Sequence, residues 1–367
     1  MGDGHIEAIQ VHRPYSEFQV VDMSISCKSS GKVLLLAGGG TLGGALSPEL
    51  LSRGYEIDVV SLEDFASVSS RVRYVKAKAD ETLLKRLYAE TPHYDAIVDF
   101  LHEPDVEAMK RRIDLNLAHT DQFVFLSSYR TYSDRDKVVT ERTPQWLDVT
   151  TDRDFLEKDT YAIPKSRGER HLRAKDAKNW TIVRPVISFS HYRLDLVTVG
   201  AYAILYRSRE GKKIPLPAEV RGNSACVGWA GNVGCELAAL IGNQKAMGED
   251  FTLGSGEELT WGDVASYYEE FCGCRFEWIP VEDYLRIATA NDFDNRQMIY
   301  TDRMLSRRVD VSKVLAATGI DRRSFVSCRD AIARELAFLS ERPDLVQRFD
   351  TPLRRELDAR MDAYFAR

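Results

Sequence analysis

Lys32-Val-Leu-Leu-Leu-Ala-Gly-Gly-Gly-Thr-Leu-Gly-Gly44 is the stretch that decides the fold. Lys32 to Ala37 is an apolar run of strand length, and Leu42 to Arg53 reads as a helix ended by Gly54. Between them lies a glycine-rich loop. Glycines permit a tight turn and close backbone approach, and the helix that follows offers unpaired N–H groups to a pyrophosphate. A strand before the loop and a helix after it are the context that such a fingerprint needs. Dinucleotide binding by Gly38, Gly40, Thr41, Leu42 and Gly43 is expected. No Gly-Lys-Ser/Thr follows, so a P-loop NTPase is disfavoured.

Working outward, apolar β-branched runs recur at Glu56–Ser61, Val72–Lys76, Asp95–Phe100, Gln122–Ser127 and Trp180–Pro185. Amphipathic segments, Glu81–Glu90 and Pro104–His119 among them, separate most of these runs. The alternation predicts an α/β chain with a Rossmann-type doubly wound parallel sheet. It fades after Pro185, where a smaller C-terminal substrate-binding lobe begins. The expected division is an extension at 1–31, a dinucleotide-binding domain at 32–190 and the smaller lobe at 191–367, with the two lobes interleaved. In that lobe Asp250–Gly254 reads as a strand, Thr260 to Asp263 as an N-cap leading into a helix through Phe271, and Arg322–Arg367 as charged, mostly helical sequence.

The chain has 367 residues and a formal charge of −6, which argues against a broad basic surface for nucleic acid or anionic lipid. It holds no apolar run of membrane-spanning length and no secretory layout near Met1, so a cytoplasmic location is expected. The six cysteines are scattered, and reduced thiols are expected. Cys272-Gly-Cys274 is the one close pair; it lacks partners at zinc-site spacing and reads as a turn after a helix, so no metal is expected.

Tyr161 and Lys165 stand four residues apart, on one face if the segment is helical. A phenol titrates near pH 10, and a neighbouring ammonium lowers that value by stabilising the phenolate. The pair can therefore form a proton-transfer site. Pro164 lies between them and is tolerated only in a first helical turn, so the helix must begin close to Tyr161 or be irregular there, which would shift the geometry of the pair. At the end of the second strand Ser61 stands where an acid would hold a ribose diol. Glu63 and Asp64 would repel a 2′-phosphate and Lys76 and Lys78 would attract one; NAD is favoured, with NADP the alternative.

Taken in order, the glycine loop, Asp95-Ala-Ile-Val-Asp99-Phe, Phe123-Val-Phe-Leu-Ser127-Ser128 with Tyr132, Tyr161-x-x-x-Lys165-x-x-Gly168-Glu169 and Thr181-Ile-Val-Arg184-Pro185 resemble the short-chain dehydrogenase/reductase superfamily, in its extended branch of sugar-nucleotide epimerases, dehydratases and reductases. The resemblance spans roughly Lys32 to Phe271. It implies that Ser128, with Ser127 the nearby alternative, hydrogen-bonds the substrate oxygen, that Tyr161 gives or takes its proton, and that Lys165 also binds the nicotinamide ribose. Pro185 joins the implied cofactor set. Arg130, Ser188, His191 and Arg193 fall where relatives bind substrate, here a nucleotide-linked sugar, and a homodimer is implied. Ala37 replaces the usual first glycine. Ala77-Lys78 stands where relatives often place an aspartate near the adenine. Tyr129-Arg130 replaces the acidic pair of the 4,6-dehydratases, which leaves epimerisation or simple reduction at a carbinol. A dinucleotide-sensing or RNA-binding member without chemistry is the alternative, and the presence of both Tyr161 and Lys165 speaks against it.

Overall fold

The computed structural model describes residues 31–67, 69–288, 292–347 and 351–367. Apart from Gly31, the expected extension 1–31 lies outside them.

Seven parallel strands form the central sheet. They are β1 (Lys32–Leu36), β2 (Glu56–Ser61), β3 (Val72–Lys76), β4 (Tyr94–Asp99), β5 (Thr120–Leu126), β6 (Trp180–Pro185) and β7 (Glu249–Leu253), in the spatial order β7-β6-β5-β4-β1-β2-β3. The order reverses between β1 and β4, which opens a crevice at the carboxyl ends of those strands. Side chains alternate across the sheet, as a period of two requires. Val33 and Leu35 join one buried cluster with α1 (Thr41–Ser52), while Leu34 and Leu36 join another with α2 (Glu81–Glu90) and α3 (Val106–Leu117). Both faces of β1 are covered, which is why it reads as an unbroken apolar run.

β7 corrects the grouping suggested by chain order. The strand expected within the smaller lobe pairs with β6 in register, Phe251 opposite Val183, and completes the main sheet. The helix before it, Ala230–Leu240, packs on α1 so closely that a Cβ on Gly234 would lie 2.9 Å from the Ala45 carbonyl carbon. The chain thus leaves the sheet after β6 and returns to it.

The remaining segments build a second core around Trp261, Tyr268, Tyr284, Ile332 and Leu336. Its helix Trp261–Cys272 starts on a capping box made by Thr260 and Asp263 and stops at Gly273, whose φ of 65° is a left-handed cap. Cys272 and Cys274 flank that cap, their sulfurs 2.9 Å apart. The C-terminal part is helical over Cys328–Glu341, Pro343–Gln347 and Pro352–Phe365. Among the described residues no helix is long and apolar enough to cross a membrane.

Candidate active site

The glycine loop closes β1 onto α1. Gly38 donates its N–H to the Val60 carbonyl at 3.1 Å, and a Cβ on Gly43 would lie only 2.1 Å from the Gly38 carbonyl oxygen, so the helix can sit this close only as glycine. Gly40 is the N-cap of α1. It supplies no side-chain cap, and the first turn carries no acid. The N–H groups of Thr41, Leu42 and Gly43 therefore face outward with the positive end of the helix dipole. This cradle fits a pyrophosphate. Ala37 has φ of 57°, a left-handed conformation that disfavours any residue with a Cβ and explains why glycine is usual there. Ser61 is buried against the loop and its Oγ accepts the Glu63 N–H at 3.2 Å. Asp64 pairs with Lys76 at 3.6 Å, which cancels much of the opposed charge that the sequence places at this strand end.

Tyr161 is the N-cap of α4 (Ala162–Arg173). Pro164 consequently occupies the first turn, where its missing N–H has no intrahelical acceptor to lose. The Lys165 N–H donates to the Tyr161 carbonyl at 3.2 Å, so the two residues share the first closed turn of the helix. The helix entry is fixed from behind by Asp159, which accepts from the Tyr161 N–H at 3.2 Å and the Ile163 N–H at 2.8 Å. The Lys165 ammonium donates to the carbonyls of Leu101 at 3.0 Å and Leu126 at 2.6 Å. Those carbonyls lie at the carboxyl ends of β4 and β5.

Charge around the phenol is one-sided. Burial raises its pKa, but Lys165, Arg130, a hydrogen bond with Ser128 and the more distant Arg193 together pull it below the ordinary tyrosine value. The Lys165 pKa is itself lowered by burial, against the attraction of Tyr161 and Asp99. Arg130 stacks on the phenol, its guanidinium carbon 4.7 Å from the ring centroid. Its Nε is buried with no hydrogen-bond acceptor.

Ser127 and Ser128 take different directions. Ser127 donates to Glu169 at 2.5 Å, inside a buried network in which Glu169 also receives Gln145 at 2.6 Å and both Nε and Nη2 of Arg184. Arg184 reaches on to Tyr132 and Asp250, each at 2.8 Å. Ser128 instead opens the short turn Tyr129–Thr131, accepts the Arg130 N–H at 3.2 Å and faces the phenol.

The other expected site residues are less concentrated. Pro185 ends β6, opposite Leu253. Ser188 is buried in the strand Ile187–Phe189, and its hydroxyl donates to the Val186 carbonyl at 3.1 Å. His191 is held by Glu335, which accepts from its backbone N–H at 2.7 Å and contacts Nδ1 at 3.0 Å. This contact fastens the loop to the helix Cys328–Glu341. Arg193 pairs with Asp195 at 3.2 Å.

Two groups near Tyr161 were not read from the sequence. His102 lies with its ring 5.5 Å from that of Tyr161, and burial followed by Lys165 holds its pKa below the ordinary histidine value. Its position just past β4, at the crevice end of the sheet, was an available signal. The second group is the buried cluster of Asp302, Arg303, Arg307 and Tyr129: the Tyr129 hydroxyl donates to Asp302 at 2.5 Å and Arg307 reaches it at 3.1 Å. Arg303 and Asp302 end a single π-helical turn, Ile299–Arg303, and no local pattern announces it.

The fold and the loop together define a Rossmann-type α/β chain of the epimerase/dehydratase architecture. Solved structures with this architecture include the epimerase Mth375 of Methanothermobacter thermautotrophicus (15% identity over 88% of this chain and 95% of that one, TM-score 0.66). A dTDP-glucose 4,6-dehydratase of Bacillus anthracis, solved with NAD, aligns at 14% identity over 85% and 97%, TM-score 0.65. A UDP-glucuronic acid 4-epimerase of Bacillus cereus, solved with UDP-glucuronic acid and NAD, aligns at 13% over 84% and 99%, TM-score 0.64. No protein-family model and no curated protein sequence matches the chain. At these identities the likeness establishes the fold.

Proposed function

We propose that this chain is an NAD-dependent enzyme that works by reversible hydride transfer at a carbinol of a nucleotide-linked sugar, with epimerisation as its reaction. The observation that carries the reading is the Tyr161 phenol. It caps a helix, is held beside Lys165, and sits in an environment that lowers its pKa despite burial.

NAD, when bound, supplies the hydride acceptor and donor. Gly38 to Gly43 would hold its pyrophosphate, Ser61 would face its adenosine end, and Lys165 its nicotinamide ribose. Ser128 orients the substrate hydroxyl, and Tyr161 takes the hydroxyl proton during oxidation and returns it during reduction. Lys165 favours the phenolate over the neutral phenol. Arg130 stands where an acidic pair would serve dehydration, which favours epimerisation or reduction. A cavity of about 570 Å³, lined in part by Val186, Ser224, Thr260, Arg307 and Arg308, offers room for the nucleotide. NAD bound in several solved neighbours supports the cofactor, with NADP the second choice.

The test is denaturation of the purified protein followed by mass analysis of released small molecules, together with NAD and NADP titration. Retained NAD supports an epimerase that regenerates its cofactor. Failure to bind either dinucleotide removes the reading.

A further inference from the structure

The proposed hydride chemistry makes no use of Cys272 and Cys274. Both thiols are free, and their sulfurs lie 2.9 Å apart, about 0.9 Å beyond the length of a disulfide bond. The helix Trp261–Cys272 ends between them at Gly273, whose left-handed φ of 65° turns the chain so that its two neighbours meet. Glycine takes that conformation without the strain a Cβ would bring. Cys274 is buried and Cys272 only half-buried, so a reagent arriving from solvent meets Cys272 first.

The pair also divides into donor and acceptor. The Cys274 S–H bonds to Cys272 and draws the Cys272 pKa below the ordinary thiol value, against the effect of burial; the same bond, followed by burial, holds the Cys274 proton in place. The other described thiols go the opposite way, since burial raises the pKa of Cys226, Cys235 and Cys328. Thiolate character, which sets reactivity towards disulfides, is therefore concentrated on Cys272 among the described residues. We infer that Cys272 and Cys274 are a reversible redox couple, a site of oxidation by small-molecule disulfides. Cys272 attacks one sulfur of the reagent, forming a mixed disulfide and expelling half of the reagent. Cys274, released from its bond to Cys272, then attacks the Cys272 sulfur and expels the second half. Each half leaves with one of the two protons of the pair, so the cysteines are oxidised to one disulfide and the reagent is reduced to two thiols. The closed bond ties the last turn of the helix to the strand Arg275–Ile279, which pairs with Lys213–Pro217 in the second core.

The probe is oxidised glutathione added to the folded full chain, followed by acid quenching, alkylation and mass analysis of digested peptides, with circular dichroism as a check on the fold of each variant. In wild type the peptide holding both cysteines is expected to lose both alkylation sites and become two hydrogens lighter, and dithiothreitol should reverse the change. Cys274→Ser should stop at a stable glutathione adduct on Cys272. Cys272→Ser should leave that peptide with neither disulfide nor adduct. In untreated wild type, iodoacetamide should label Cys272 at least about 10-fold faster than the equally half-buried Cys235. Two alkylatable thiols after oxidation, a bond from either cysteine to a different one, a lasting adduct in wild type, or equal labelling of Cys272 and Cys235 overturns the couple.

Discussion

Two buried clusters of charge lie on either side of the end of β5, and they differ in how completely they are paired. Around Glu169 every charged group has an opposite: Arg184 meets the carboxylate through two nitrogens, Ser127 and Gln145 fill its remaining positions, and Asp250 meets the far end of the guanidinium. Around Tyr161, Lys165 and Arg130 converge on one phenol, and the Arg130 Nε has no acceptor. The first arrangement holds the sheet to α4. The second is incomplete, and its incompleteness is what a ligand or a transferred proton can use. Saturation thus separates a fold-holding cluster from a candidate site more sharply than burial does, since Lys165 and Arg184 are both at most 3% exposed.

The contrast can be broken at either end. The largest effect is expected from Glu169→Ala, which removes the buried carboxylate that meets two nitrogens of Arg184 and leaves Asp250 as its remaining acid, and should cost about 3–5 kcal/mol of unfolding free energy in urea titration. Little loss of stability would mean that the network is not holding the fold. Tyr161→Phe should leave that stability nearly unchanged while lowering turnover about 10²- to 10⁴-fold, the span of general acid–base catalysis, with NAD affinity retained. Lys165→Met should move the ascending, acid-side limb of the oxidation profile to higher pH, because the phenolate loses the cation that most lowers its pKa. An unmoved limb would detach Lys165 from the phenol.

Glu236 tests the same rule inside the fold. It is fully buried, and burial holds its pKa well above 4.5, offset only in part by the Gly254 backbone. The sign follows from proton binding: above pH 4.5 the unfolded chain releases this proton while the folded chain keeps it, so stability declines as pH rises. Glu236→Gln should remove that decline, giving a more stable protein at pH 7 to 8 and a difference that shrinks towards pH 4.5 in paired denaturation curves. The smallest effect is expected from Ala37→Gly, a gain of about 1 kcal/mol from relieving a left-handed alanine, read as a rise in melting temperature.

Much of the sheet was legible because its determinants are local. β1 reads as a strand from five consecutive core-forming or flanking residues, whereas Pro164 left the start of α4 open until the structure set its N-cap at Tyr161. The glycine loop was legible for the same reason, since the close approach of Gly43 to Gly38 spans only a few residues. What escaped was long-range. β7 pairs with a strand more than sixty residues earlier, and nothing in Glu249–Leu253 distinguishes an edge of the main sheet from a strand of the lobe. The contact that fastens His191 comes from Glu335, 144 positions away. Asp302 finds Tyr129 across 173 positions through a turn with no sequence signature.

The Lys165 ammonium, bonded to carbonyls at the ends of two adjacent strands, has a mechanical consequence as well as an electrostatic one. It ties the end of β5 to the turn that follows β4 on the side where the crevice lies, so moving one of these apart from the other must break at least one of the two bonds.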